Sequence, residues 1–147
     1  MVVRWRLADD AVHLRLEGTT TGWIAVGFNR TDTLAGSRLL MATVDGEEVR
    51  VDEHMADPPN HATIARPDGR PSVAGVSGGR AGGTTWVEFR VPLDSAGTAT
   101  KVKAATGGSY LWTPLHAGAR LWVTLAWSHD RDLQHHSAMR TARWADL

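Results

Sequence analysis

The sequence predicts an all-β protein, an antiparallel β-sandwich of two packed sheets. Two observations carry this prediction: apolar and polar residues alternate along several short segments, and no segment shows the periodicity of an amphipathic helix. Fifteen glycines punctuate the 147 residues near the ends of these segments. A chain of about nine or ten short strands separated by turn residues is typical of a two-sheet sandwich.

The first four strands follow from this pattern. Residues 2–7 and 11–17 alternate apolar and polar side chains, and residues 8–10 form the turn between them. Residues 23–28 are continuously apolar between Gly22 and Asn29, which is typical of a strand buried on both faces. Residues 39–44 form another such run.

Later segments repeat the strand pattern. Asp45-Gly46 is a hairpin turn that leads into an alternating segment at 48–52. Residues 85–91 and 120–127 combine large aromatic and β-branched side chains, and residues 140–144 could close the sheet.

Two stretches resist assignment as strands. Residues 54–83 carry four of the six prolines and many glycines, so we expect a long excursion with room for short strands at 63–64 and 72–76. Residues 93–117 are similar. Long loops inside a compact β domain are often functional.

Composition narrows the classes of function. Acidic and basic residues balance at 16 each, so no overall field favours nucleic acid or an anionic membrane. Cysteine is absent, which excludes disulfides, thiol catalysis and covalent c-type haem attachment. The first residues lack the apolar core of a signal peptide, and no apolar run approaches the length of a membrane span. We therefore expect a cytoplasmic protein, unless an export signal has been removed.

Candidate metal ligands are concentrated between Trp127 and Arg140, directly after an apolar strand-like run. This segment holds three of the seven histidines and two aspartates. Histidine is the side chain most used to hold a metal or carry a proton near neutral pH. A direct metal site and a solvated polar loop are the two interpretations, and the spacing matches no closed zinc pattern. The residues concerned are His129, Asp130, Asp132, His135 and His136.

Methionine and tryptophan supply weaker signals. Met41 lies inside an apolar run and is either a core residue or a soft ligand for haem iron. Met55 and Met139 are further candidates, each near a histidine. The seven tryptophans either fill the core or form flat walls on which a sugar or a porphyrin stacks.

Motifs for hydrolysis and phosphate binding are missing from the sequence. It contains no His-Glu-x-x-His and no Gly-x-Ser-x-Gly elbow that leads from a strand into a helix, and its glycine pairs at 78–79 and 82–83 do not open a helix. We therefore expect a binding or electron-transfer domain more than an enzyme with side-chain catalysis.

Three features together resemble the DOMON superfamily, best known from the cytochrome domain of cellobiose dehydrogenase. Thr21–Asn29 looks like the family's Gly-Trp-x-x-x-Gly-Phe strand. Residues 33–42, followed by Val44-Asp45-Gly46, match the family's loop, apolar strand and hairpin in order. Trp127, a polar loop with His136 and a final strand are similar to the family's C-terminal end. The resemblance implies one DOMON-like sandwich domain of immunoglobulin-like architecture over residues 1–147.

The resemblance also implies a ligand. Haem-binding members hold a b-type haem between a methionine and a histidine. His136 falls at the histidine position, with His135 one residue away, and the methionine position falls on Leu34, which cannot ligate iron. The haem would then be five-coordinate with an apolar distal side, which favours a small diatomic gas or exchangeable haem over electron relay. His54 or His61 could replace the missing ligand.

The remaining contacts expected around the haem are of three kinds. Met41 and Trp127 would contact the macrocycle, and Asp130 or Asp132 would orient the imidazole. Arg140 or Arg143 would pair with a haem propionate, unless they simply solvate an edge strand. The hypothesis requires the His136 ring to face a cavity between the two packed β layers.

Three functions stay open at this point. The first is a non-covalent haem b domain for redox or small-gas binding, with His136 as proximal ligand. The alternative is a haem-free module that binds a sugar or another small ligand. The third is an interaction domain or a histidine-metal protein. Haem or a small molecule is the expected partner, with no nucleic acid, no membrane span and an unspecified redox partner.

Overall fold

The computed structural model describes residues 1–95 and 100–147, and this part of the chain forms twelve strands and no helix. The strands are β1 (Val2–Leu7), β2 (Ala11–Gly18), β3 (Ile24–Asn29), β4 (Arg38–Asp45), β5 (Glu48–Asp57), β6 (Asn60–Thr63), β7 (Ala74–Ala81), β8 (Thr84–Pro92), β9 (Lys101–Lys103), β10 (Ser109–Leu111), β11 (Arg120–Trp127) and β12 (Met139–Asp146). The described residues accordingly contain no helix that could cross a membrane.

The predicted antiparallel sandwich is confirmed. One sheet has four strands in the order β1-β2-β8-β7, and the other has six in the order β12-β11-β3-β4-β5-β6. A short pair, β10-β9, lies outside both sheets. Every strand pairing is antiparallel.

The core fills the space between the two sheets. Alternate residues of β2 and β8 pack against alternate residues of β3, β4 and β11, and most of them are fully buried. Strand β3 lies at the centre of the larger sheet and is buried along its whole length, as its continuous apolar run predicts. The layer between the sheets is therefore a packed core.

The stretch predicted as a long excursion at 54–83 is mostly strand. Strand β5 continues to Asp57, β6 follows directly at 60–63, and β7 occupies 74–81. The prediction failed because β7 is rich in small residues and mostly exposed, so its sequence lacks the apolar alternation that marks a strand. The second stretch, 93–117, contains only the short strands β9 and β10 among its described residues, and positions 96–99 lie outside them.

A buried ion network closes one end of the sandwich. Arg38 at the start of β4 is fully buried. Its Nε donates to Glu53 Oε1 at 2.7 Å, and its Nη1 donates to Asp94 Oδ2 at 2.9 Å and to the carbonyl of Thr113 at 2.7 Å. The ring of Trp112 lies 3.8 Å from the guanidinium carbon. A buried charge is tolerated when it is paired and hydrogen-bonded in this way.

A second arginine extends the network to the long loop before β7. Arg66 Nη2 donates to Asp94 Oδ1 at 2.6 Å and to Asp68 Oδ2 at 2.9 Å. Its hydrogen bond to Asp68 lowers the pKa of that carboxyl. Asp94 thus joins two buried arginines and also accepts from the backbone of Leu115 at 2.9 Å. The network ties strands β4 and β5 to the loops that follow β6 and β8.

Replacing Arg38 by methionine should destabilise the fold by about 3–5 kcal/mol, because the buried Glu53 carboxylate loses its cation. Urea unfolding followed by far-UV circular dichroism measures this loss. Arg4→Met is the matched control, since Arg4 pairs with Glu17 on an exposed face and should change stability much less. Equal losses in the two variants would show that the buried network does not stabilise the fold.

Candidate functional site

A cavity of about 280 Å³ lies on the outer face of the six-stranded sheet, on the side away from the core. The strand register places Ala25 of β3 between Met41 of β4 and Ala126 of β11, and these side chains share the outer face. Trp23 and Leu39 pack with them into a small apolar cluster. The side chains of Ala25 and Ala126 are shorter than those of Met41, Trp23 and Leu39. The cavity is therefore deepest above the two alanines.

Several predicted site residues meet in this cavity. Leu34 approaches from the loop after β3, and His135 and His136 approach from the loop after β11. Arg140 of β12 lies on the same wall as the two histidines, and Met41 is part of the floor. The structure therefore brings together residues that are more than 100 positions apart in the sequence.

The location of the cavity corrects one expectation. His136 does not face a space between the two β layers, because that space is filled by the core. The His136 side chain is exposed and borders the outer cavity instead. The hypothesis of a haem between the two layers is therefore wrong, and a haem site is left open on the outer face alone.

Trp127 and Arg143, which were also predicted to contact the haem, do not line this cavity. Side chains alternate along a strand, and since Ala126 faces the cavity, Trp127 faces the core, where its ring contacts His129. Arg143 pairs with Val123 in the register and borders a different depression on the inner side of β11 and β12. Of the two candidate arginines, the cavity contains Arg140 alone.

The loop 128–138 that carries the histidines is held to the strand ends by backbone hydrogen bonds. The amide of Trp23 donates to the Asp130 carbonyl at 2.8 Å, and the amide of Ser128 donates back to the Trp23 carbonyl at 2.9 Å. Gly22 is needed at this crossing, because a Cβ there would lie 2.2 Å from the Ser128 carbonyl oxygen. The indole Nε1 of Trp23 donates to the carbonyl of His135 at 3.1 Å.

The two aspartates of the loop shape its turns. Asp130 Oδ1 accepts the amide of Asp132 at 2.9 Å, and Asp132 Oδ1 accepts the amide of Gln134 at 2.9 Å. Such bonds between a side chain and the backbone two residues later stabilise turns. Asp130 also lies beside His135, with Oδ2 3.7 Å from Nδ1.

This arrangement bears on the direct metal hypothesis. Among the described residues, no group of three histidine or acidic side chains could hold a metal ion. The five candidate ligands of the loop therefore do not converge on one point.

A pair of histidines borders the cavity on the β5–β6 side. His54 of β5 and His61 of β6 face each other with their Nδ1 atoms 2.9 Å apart. His54 is buried, whereas His61 is partly exposed and lines the cavity. A hydrogen bond from His61 to the Leu133 carbonyl joins this wall to the loop 128–138.

These contacts fix the tautomers of the pair. Nδ1 of His61 faces His54. The hydrogen bond from His61 to the Leu133 carbonyl is therefore donated by Nε2–H. Nδ1 of a neutral His61 then accepts from Nδ1–H of His54. Nε2 of His54 is left as a bare acceptor, and this buried atom has no hydrogen-bond partner in the described residues.

Burial keeps both rings neutral. Desolvation, reinforced by the nearby His61, lowers the pKa of His54 to about 4. Desolvation also lowers the pKa of His61, and the positive form of His136 would lower it further. A neutral imidazole is the form that binds a metal.

The wall next to this pair is fixed by Asp57. Its carboxylate accepts hydrogen bonds from the hydroxyls of Thr106 and Tyr110 and from the amide of Gly108, which lies 3.0 Å away. These bonds lower the pKa of Asp57. The turn that follows, Pro58–Asn60, lines the cavity.

Two features of the site were missed in the sequence, an alanine floor and a pair of bonded histidines. Ala25, Ala56 and Ala126 form its low floor, although alternation within their strands could have placed all three on one face. The second feature is the bond between His54 and His61, which depends on the tight β5–β6 hairpin that no pattern predicted.

The profile of the DOMON domain family matches residues 1–115, which is more than half of the chain. The chain belongs to the DOMON domain family. The match ends before β11 and β12, so the loop with His135 and His136 lies beyond it.

One solved structure supports the same fold for this DOMON domain. The cytochrome b domain of pyranose dehydrogenase from Coprinopsis cinerea superposes with a TM-score of 0.63 at 16% sequence identity. The superposition covers 95% of this chain and 69% of that one. No curated protein sequence matches the chain.

The stability of this DOMON domain should fall as the pH decreases from about 6.5 to about 4. In this window an unfolded histidine binds a proton, whereas folded His54, whose pKa is about 4, stays neutral. Protons therefore favour the unfolded state, by up to about 3 kcal/mol at the acid end. Urea unfolding at intervals of half a pH unit measures the slope.

His54→Gln should remove most of this slope, because the titrating group is gone. His116→Gln is the matched control, since His116 lies outside the pair and contacts only the carbonyl of Ala117 through Nδ1. An unchanged slope in His54→Gln would contradict the assignment of the pH dependence to this ring.

Proposed function

We propose that this DOMON domain binds a b-type haem non-covalently in the outer cavity, with His136 as the proximal iron ligand. The observation that carries the proposal is the meeting of His136, Leu34 and Arg140 around one apolar floor. Two of these residues fall at the positions where haem-binding members of the family place their axial ligands. The fold likeness to a cytochrome b domain adds support at the level of the fold.

The residues present fit a haem in chemistry. The floor is apolar, with Ala25 and Met41 buried and Ala126 partly buried, as the flat face of a macrocycle requires. Arg140 is exposed and has no ion pair in the described residues, so its guanidinium is available for a propionate. His136 supplies an imidazole nitrogen, the commonest donor to haem iron.

The size of the cavity fits in part. Its volume of about 280 Å³ lies just below the range of about 300–1,000 Å³ typical of small-molecule sites. Its mouth opens to solvent along the exposed loop 134–137. A haem would therefore sit with one edge exposed, held by its face and one ligand.

The second axial position decides which chemistry the site favours. Leu34 carries no donor atom, and His61 already uses both ring nitrogens, one toward His54 and one toward Leu133. When bound, the haem would supply an iron that binds a small diatomic gas or exchanges an electron. An apolar residue at the sixth position favours the first of these.

The tryptophans give less support to a sugar-binding module. Trp23 is the one tryptophan that lines the cavity, and its indole Nε1 is already bonded to the His135 carbonyl. Trp122 and Trp144 meet edge to face at 64°, so they do not form a flat platform. The haem proposal therefore accounts for more of the residues that line the cavity than the sugar-binding alternative does.

Adding hemin to the purified protein should produce a Soret band that saturates at one haem per chain. His136→Ala should weaken hemin affinity by more than a hundredfold, because loss of a metal ligand exceeds the 10–100-fold effect of losing a residue that only orients one. Absorbance titration measures both. His129→Ala is the matched control, since His129 packs against Trp127 and does not line the cavity.

Two results would contradict the proposal. One is a wild-type protein that takes up no hemin. The other is equal hemin affinity in His136→Ala, His135→Ala and the wild type, which would mean that neither imidazole of the loop is a ligand.

Leu34→Met should convert the haem spectrum from the five-coordinate, high-spin type to the six-coordinate, low-spin type, because a thioether then lies at the vacant position. Visible and electron paramagnetic resonance spectra of the reconstituted proteins measure the change. Leu34→Ile is the matched control and should stay high-spin. A wild-type spectrum that is already low-spin would contradict the vacant sixth position.

A further inference from the structure

The outer face of the other sheet carries a row of basic side chains. The register places Arg6 of β1 directly opposite His13 of β2, and His13 directly opposite Arg90 of β8. Adjacent strands are about 4.8 Å apart, so the three side chains leave the sheet side by side. We call Arg6, His13 and Arg90 the basic row.

In the next row on the same face, by contrast, the arginines form ion pairs with glutamates. It contains Arg4, Arg15 and Glu88 in register. Arg15 pairs with Glu88 at 2.5 Å and with Glu17 at 2.6 Å, and Arg4 pairs with Glu17 at 2.8 Å. The guanidinium groups of this row are therefore neutralised within the protein.

The basic row lacks such partners. In residues 1–95 and 100–147, neither Arg6 nor Arg90 makes an ion pair or a side-chain hydrogen bond. Arg6 and Arg90 lie on either side of His13, two strands apart and about 10 Å from each other at the backbone. The net charge of the chain is zero, so the excess is local to this row. An anion bound there would neutralise both guanidinium groups.

The surface at the basic row is concave. A depression of about 570 Å³ is lined by the basic row together with Arg4, Arg15, Ser77 and Glu88, and Arg15 neutralises Glu88 by an ion pair. Gly75 has a positive φ of 60° at the bulge between Ala74 and Ser77, and a Cβ there would lie 3.2 Å from Arg90 Nε. Glycine therefore gives the Arg90 side chain its place over the β7 backbone.

We propose that this depression binds a small anionic molecule that carries phosphate or carboxylate groups, held by Arg6 and Arg90. Guanidinium groups match both anions through two parallel hydrogen bonds. The volume lies within the range of about 300–1,000 Å³ typical of small-molecule sites. The site is independent of the outer cavity, which lies on the opposite sheet.

The charges around the basic row favour a small ligand over an extended polyanion. Glu17 and Glu88 lie on one side of the row, and the exposed turn Asp9-Asp10 lies on the other. A nucleic acid strand laid across this face would pass over these carboxylates. A compact anion could contact the basic row without passing over Glu17 or the Asp9-Asp10 turn.

Isothermal titration with tripolyphosphate and with citrate tests the proposal on the full chain. Arg6→Ala and Arg90→Ala should each weaken binding about tenfold or more, because each removes a charge-assisted hydrogen-bond donor. Arg120→Ala is the control, since Arg120 is exposed on the other sheet. Tighter binding of tripolyphosphate would assign a phosphate ligand, and tighter binding of citrate a carboxylate ligand.

Thermal unfolding gives a second readout. Without an anion, Arg6→Ala should change the unfolding midpoint by no more than about 3 °C, because Arg6 has no ion pair to lose in the described residues. With tripolyphosphate, the wild-type midpoint should rise more than that of the variant. Absence of binding to both probes, or equal weakening in Arg6→Ala and Arg120→Ala, would overturn the proposal.

Discussion

Arg38 pairs with Glu53 and Asp94 inside the sandwich, at one end of the core between the two sheets. Two neighbouring strands, β4 and β5, each turn one charged side chain into the end of the core, and neither charge is tolerated there without the other. Because side chains alternate along a strand, this choice sends the next residues, Leu39 and His54, to the outer face. The ion network lies on the core side of the six-stranded sheet, and it thus determines which face carries the cavity and its histidine pair.

The cavity itself follows from alternation on the outer face and from one close backbone crossing. Small side chains at Ala25 and Ala126 lower the floor, and the loop 128–138 passes over the end of β3 because Gly22 has no Cβ to obstruct it. The loop is then held at its far side by the contact between Leu133 and His61. The contacts that hold the loop involve backbone atoms or residues outside the loop. The His136 side chain therefore takes no part in holding the loop in place.

Much of the fold was predictable because two-residue alternation is a local property. It placed β1, β2, β3 and β11 almost to the residue. The same alternation predicts that Trp127 faces the core, since Ala126 and Trp127 cannot share a face. Trp127 was wrongly assigned to the haem site because of its residue type. Other features depend on tertiary contacts that no local pattern contains. The exposed, glycine-rich β7 is a strand because β8 pairs with it, and the outer position of the cavity follows from how tightly the inner layer packs.

The polar groups of the candidate haem site come mostly from turns, and this separates its chemistry from its stability. Leu34 lies in a loop that is held by other residues: Asn29 Nδ2 donates to the carbonyls of Thr33 and Ala35, and the Ser37 amide donates to the Leu34 carbonyl. Its side chain is outside the main core, so the fold places little demand on it. Under the proposed haem function, the resemblance places Leu34 where haem-binding members carry methionine, and this substitution would alter what the site can ligate while leaving the sandwich intact. The cavity keeps an imidazole, a cation and an apolar floor, and what it lacks is a donor for the sixth position.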